Sequence, residues 1–198
     1  MSKPTPLSLD STLPLPNSTI KIPRLGFGVW ESHGDDCVSA VIHALQSGYR
    51  HIDTAQYYGN EALVRTAVLS SNIPRSEIFI TTKYDEVKDG ERIYQDVLDS
   101  VRKIDGEDGY VDLFLVHSAD IGARHRKLVW EALERALEEG KASAIGVSNY
   151  GIGNIEEMKA YAKIWPPMVN QIEVCHVVVL DCFFSDKGSP EAQMTKFQ

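Results

Sequence analysis

No run of about 18 or more apolar residues occurs in this 198-residue sequence, so no segment reads as a membrane-spanning helix. Positive charge is scarce too. Lys and Arg number 20 against 28 Asp and Glu, the formal net charge is −8, and no basic patch stands out. That excludes a nucleic-acid partner, since such binding leans on Lys and Arg meeting phosphates. The three cysteines, Cys37, Cys175 and Cys182, form no CxxC pair and no regular framework, so reduced thiols are expected. Cys175 stands beside His176 with no further ligand at a metal-binding spacing, and no metal site is expected. The opening MSKPTPLSLD lacks the apolar core of a secretory leader, and the expected location is cytoplasmic. Also missing is GxGxxG: Gly26 and Gly28 give GxG, but Trp30 and Glu31 follow and no third glycine falls in place.

What is there suits a globular domain. The chain is long enough for one well-packed core, at 43% hydrophobic and 24% charged residues. Residues 7–22 hold Pro14, Pro16 and Asn17-Ser18 between short alternating runs, which predicts a small hairpin. Strands and helices then alternate. A strand is expected over 24–29, a helix carrying Val38, Val41, Ile42 and Leu45 inward with Asp35 and Asp36 in its first turn, and a strand through Ile52. A helix from Glu61 to about Leu69, a strand over 78–82 and a helix with Ile93, Val97, Val101 and Ile104 inward come next. The continuously apolar 113–116 reads as a doubly covered parallel strand. Residues 128–139 predict a helix with Val129, Leu133, Ala136 and Leu137 inward, a Glu131–Arg135 surface pair and a stop at Gly140. A strand over 144–147, a helix with Ile152, Ile155 and Met158 inward, a break at Pro166-Pro167 and a sixth strand over 168–172 complete the pattern. Strict alternation implies a parallel sheet with right-handed crossovers, although period alone does not separate an open doubly wound sheet from a barrel.

The stretch GYRHIDTAQYYGNE, residues 48–61, organises the rest. Gly48 sits where a helix C-cap belongs, Asp53 ends a short strand, and Asn60 is placed to cap a helix starting at Glu61. Asp53 and Tyr58 therefore fall at a strand's C-terminal end and in the loop after it, where barrel enzymes place their chemistry. On spacing alone, a structural Asp and two packing tyrosines account better for this stretch, because one acid and one tyrosine define no chemistry.

GYRHIDTA followed by YxNE resembles the first signature of the aldo-keto reductases. ITTK with Thr81, Thr82 and Lys83, VDLFLVHS over 111–118, EEGKASAIGVSNY over 138–150 and VNQIEV over 169–174 follow in that family's order and spacing. The resemblance covers about residues 22–174. It implies an α/β fold, a TIM (β/α)8-type barrel, incomplete, with about six strands present and an N-terminal β-hairpin plugging its bottom. Residues 1–23 would form the segment with the hairpin, 24–175 the partial NADP-dependent barrel domain, and 176–198 a non-family tail, poorly ordered over 185–198, with the apolar 177–184 pairing loosely beside the sixth strand.

The same resemblance implies reduction of an aldehyde or ketone by hydride from NADPH, reversible to alcohol oxidation. The catalytic set would be Asp53, Tyr58, Lys83 and His117. Tyr58 would give the carbonyl oxygen a proton, the Lys83 ammonium would stabilise the resulting phenolate, Asp53 would hold Lys83, and His117 would orient the carbonyl. Asp53, Ser148, Asn149 and Gln171 would bind the cofactor, and Trp30 with His117 the substrate. Taken singly, Lys83 reads as a surface lysine, His117 as a core histidine, Trp30 as packing and Ser148-Asn149 as a helix N-cap; Tyr57 is a competing phenol.

Arg65 and Ser143 depart from the family's signatures, and nothing matches its seventh and eighth strands, the aromatic that stacks on the nicotinamide, or the Lys-Ser…Arg segment that grips the 2′-phosphate. NADPH over NADH, a small-molecule carbonyl substrate and a monomeric state thus rest on resemblance. The competing expectation is a catalytically impaired or inactive fragment with at most weak cofactor binding, marginal stability and a tendency to aggregate, because its outer strands lack neighbours. A non-enzymatic protein that senses cofactor is the third.

Overall fold

The computed structural model describes residues 8–173. The expected tail, its apolar run, and Cys175, His176 and Cys182 lie outside the described residues.

The hairpin forms as expected. Strands β1 (Thr12–Pro14) and β2 (Lys21–Pro23) pair antiparallel, with Leu13 opposite Ile22. Six parallel strands then line up in chain order: β3 (Phe27–Gly28), β4 (His51–Asp53), β5 (Phe79–Tyr84), β6 (Val111–Val116), β7 (Ala142–Ser148) and β8 (Asn170–Gln171). Helices α1 (Gly34–Gln46), α2 (Glu61–Ser70), α3 (Gly90–Asp105), α4 (Ala123–Glu138) and α5 (Ile152–Met158) make the crossovers. Sequential order without a switch point is barrel winding rather than doubly wound winding. Among the described residues, β3 and β8 each pair on one side only.

Side chains alternate across each strand, and that alternation builds two cores. Ile52, Ile80, Phe114, Val116, Ile145 and Val147 point outward into the large cluster they share with the helices. Phe79, Leu113, Leu115 and Ala144 point the other way and pack with Leu15 and Ile22 of the hairpin segment. The hairpin therefore closes the inner face at one end. The polar residues His51, Asp53, Thr81, Lys83 and Ser148 fall on the same inner parity, with Asp53, Lys83 and Ser148 toward the strands' C-terminal ends.

Four details differ from expectation. Strands β3 and β8 are shorter than the 24–29 and 168–172 runs, as outer strands with a single neighbour. Ile152 is 81% exposed while Met158 is fully buried. The two lie about 120° apart on a helix, and α5 docks on the Met158 side, so its first residue stays outside. Arg135 turns away from Glu131: it bonds Glu139 at 2.8 Å and lies 3.7 Å from the Tyr94 ring of α3, while Glu131 faces Lys127 at 3.7 Å. Asn60 occupies the N-cap position of α2 but its side chain makes no cap bond. The helix stops behave as expected, since Gly48 and Gly140 have φ of 101° and 71° just past α1 and α4.

His51 adds a testable acid sensitivity. It is buried on the inner face, with Nε2 2.8 Å from Thr81 Oγ1. Burial drives its pKa down to about 4; Asp53 and a bond with the Pro23 backbone oppose that pull, and Lys83 adds to it. The unfolded chain then binds the extra proton between about pH 6.5 and 4, so folding stability falls as pH falls through that window, by about 3 kcal/mol at its end. Denaturant titrations of wild type and His51→Gln from pH 7 to 4 are expected to show a steeper loss in wild type. Parallel curves would refute the assignment.

Candidate active site

The inner parity brings together residues far apart in sequence. In β5, Lys83 follows Phe79 and Thr81 on one face, and its side chain is 2% exposed. Its ammonium carries three donors, and each meets an acceptor. One is Asp53 of β4, one the Thr54 carbonyl at 3.0 Å, and one Tyr58 Oη at 3.4 Å. Tyr58 is delivered by a single 3-10 turn, Gln56–Tyr58, which ends at Gly59 with φ of 68°. The second Asp53 oxygen accepts from Gln171 Nε2 at 2.8 Å, so β4, β5 and β8 join in one polar chain.

His117 follows β6. Its ring centroid lies 5.7 Å from that of Tyr58, and its Nδ1 lies 3.4 Å from an Asp85 carboxylate oxygen. Burial holds His117 below the ordinary imidazole value; Asp85 opposes this and the Lys83 ammonium reinforces it. Trp30, 54% exposed, stands over the site with its ring 4.7 Å from Tyr58 and stacked on Tyr57 at 5.6 Å. The mouth is thus an aromatic rim around one phenol, one imidazole and one buried ammonium.

These groups line a cleft of about 950 Å3. Gly28 lines it, and open space surrounds the place where its Cβ would be. Ser148 closes β7, and Asn149 follows with φ of 57°, its Nδ2 3.2 Å from Ser148 Oγ. Neither caps α5, whose N-cap is Gly151. Ser148, Asn149 and Gln171 therefore present hydroxyl and amide groups along one wall, a donor set that suits a carboxamide.

Sequence reading placed Asn60 and Glu61 only as a helix start and missed their part in fixing this arrangement. Asn60, 1% exposed, donates to the Val29 carbonyl at 2.8 Å and the Ser32 carbonyl at 3.0 Å, and accepts from Thr54 Oγ1 at 2.6 Å. It ties the loop bearing Trp30 to the loop bearing Tyr58, and through Thr54 to Lys83. Glu61, also buried, accepts from Thr82 Oγ1 at 2.6 Å, on the outer face of β5 behind Lys83. Burial raises its pKa. Asp85 was not singled out either. Its place beside His117 comes from the pairing of β5 with β6, which sequence spacing does not display.

A parallel sheet wound in chain order, covered by helices on its outer face and with a polar cleft at its C-terminal edge, defines an α/β protein of the (β/α)8-barrel class. The model of the aldo/keto reductase family matches residues 24–185, and the chain belongs to that family. It is 37% identical over 170 residues to glyoxal reductase of Bacillus subtilis, covering 85% of this chain and 59% of that one. To glycerol 2-dehydrogenase (NADP(+)) of Saccharomyces cerevisiae it is 35% identical over 185 residues, covering 80% and 58%. Among solved structures, an aldo/keto reductase from Brucella melitensis superposes with a TM-score of 0.77 at 39% identity, over 83% of this chain and 63% of that one. The chain spans a little over half the length of the curated relatives it matches.

Proposed function

We propose that the protein is an NADPH-dependent carbonyl reductase in which Tyr58, Lys83, Asp53 and His117 serve the proton side of the reaction. The observation that carries the reading is the position of the buried Lys83 ammonium, between the Asp53 carboxylate and the Tyr58 hydroxyl. NADPH, when bound, supplies a hydride. Ser148, Asn149 and Gln171 would hold its carboxamide. The chain's own task is the oxygen, which gains the electron pair of the carbonyl π bond as the carbon gains hydrogen. Tyr58 gives that oxygen its proton, and Lys83 stabilises the phenolate left behind. Asp53 keeps Lys83 oriented. His117, held neutral by burial, donates a hydrogen bond that directs the carbonyl. Trp30 forms the wall against which the substrate lies. A monomer in a cytoplasmic setting suits this role.

A second reading, an impaired reductase with weak cofactor affinity, draws on the single-sided pairing of β3 and β8 among the described residues. Edge strands leave backbone groups without partners and loosen what they carry, and β8 carries Gln171. Titration with NADPH, followed by an assay of aldehyde-dependent NADPH oxidation, separates the two. Saturable binding with turnover is the expected result. Binding without turnover, or no detectable binding, favours the impaired reading and overturns the first.

A further inference from the structure

The cleft mouth holds charge of one sign. Its described lining includes Asp53, Asp85 and Glu173 but no Lys or Arg. Asp53 is matched by Lys83 behind it. Among the described residues, no Lys or Arg so matches Asp85. Lys88, near it in sequence, is held by Glu86 at 2.5 Å and Asp96 at 2.7 Å. The Asp85 neighbour across the sheet is His117, which burial keeps neutral. The same lining carries aromatic rings: Tyr57 is 70% exposed, and it and Trp30 stack at an interplanar angle of 15°, leaving one face of each ring outside the stack.

Ring faces and a carboxylate attract the same kind of group. An aromatic face is the negative end of a quadrupole and draws a cation lying over it. Rings alone would also accept a neutral aryl group, so Asp85 decides the sign. The geometry points to aryl carbonyl compounds bearing a positive charge as the preferred substrate class, with the carbonyl at Tyr58, the flat body along Trp30 and Tyr57, and the cationic group at Asp85. This inference rests on the carbonyl-reductase reading. Asp85 acts in it as a specificity-determining residue that touches the proton-transfer groups only through His117. Anionic aryl carbonyls would be disfavoured by the same charge.

A matched pair of ligands isolates the charge. In 4-(trimethylammonio)benzyl alcohol and 4-tert-butylbenzyl alcohol the para groups have nearly the same shape, and only one carries a charge. Calorimetric titration of the full chain with each, at about 0.15 M salt to screen the general negative field, is expected to give the cation an affinity about fivefold or more higher. In Asp85→Asn the ratio should fall close to one, and Asp85→Glu should restore most of it. Equal affinities in wild type, no binding of either alcohol, or a ratio untouched by Asp85→Asn would each overturn the inference. A preserved ratio in a chain without aldehyde turnover would count against the reductase reading and leave the cation preference standing.

Discussion

Replacing Tyr58 by Phe is expected to lower aldehyde-dependent NADPH oxidation by about 10²–10⁴-fold, the usual contribution of a positioned general acid. The variant removes one oxygen, whose bond to Lys83 is a long 3.4 Å. The Lys83 ammonium keeps its stronger partners, Asp53 and the Thr54 carbonyl. Fold and cofactor affinity should therefore survive while turnover does not. The loss should appear in kcat as well as kcat/KM, because the proton is needed only as charge develops on the oxygen. Tyr57→Phe supplies the control, since Tyr57 is exposed and stacked on Trp30 away from Lys83. Turnover of Tyr58→Phe above about a tenth of wild type would remove Tyr58 from the proton-donor role, whatever the fate of the rest of the site.

The second large effect falls on stability. Asn60→Ala deletes three hydrogen bonds at once, two of them buried; the Ser32 carbonyl and the Thr54 hydroxyl lose the partner they have here, and the Val29 carbonyl keeps only the Ser32 N–H at 3.1 Å. An abandoned buried partner costs about 1–3 kcal/mol, so a loss of about 3 kcal/mol or more is expected. That is a large part of the roughly 5–15 kcal/mol that keeps a domain folded. At this size the midpoint of a thermal melt should fall by about 6–12 °C. Asn60→Asp should fare no better, since its carboxylate still accepts from Thr54 but would be buried against two carbonyl oxygens. A melt of Asn60→Ala within about 2 °C of wild type would mean that the loops find other partners.

These two residues show what a sequence displays and what it hides. Tyr58, like Asp53, Lys83 and His117, stands at or just past a strand end, and the strands are visible as short apolar runs. Their convergence follows once the strands are parallel and in order. Asn60 stands one residue before a helix, where local chemistry explains an asparagine fully, and nothing local signals that its amide turns inward to Val29. Its partners lie 28 to 31 residues away on another loop, apart from Thr54. Arg135 was misread for a related reason. The i, i+4 rule offers it Glu131 and Glu139 equally, and Tyr94 on a neighbouring helix decides between them. Ile152 matched the apolar period but not the direction in which α5 docks. Local pattern thus recovered the elements, while the family resemblance picked out the four residues at the strand ends. Choices settled by a distant segment stayed out of reach.

The alternation of β5 carries one more consequence. Phe79, Thr81 and Lys83 face the hairpin and cleft, while Ile80, Thr82 and Tyr84 face the helices. A slip of one residue would exchange the two sets, carrying the Lys83 ammonium into the apolar layer and the Tyr84 ring toward Asp53. Gain or loss of a single codon within this strand would therefore break the core and the site in the same event. Lengthening a loop between elements disturbs neither parity. Viable descendants of this gene should thus differ in length between the strands and hardly ever within them.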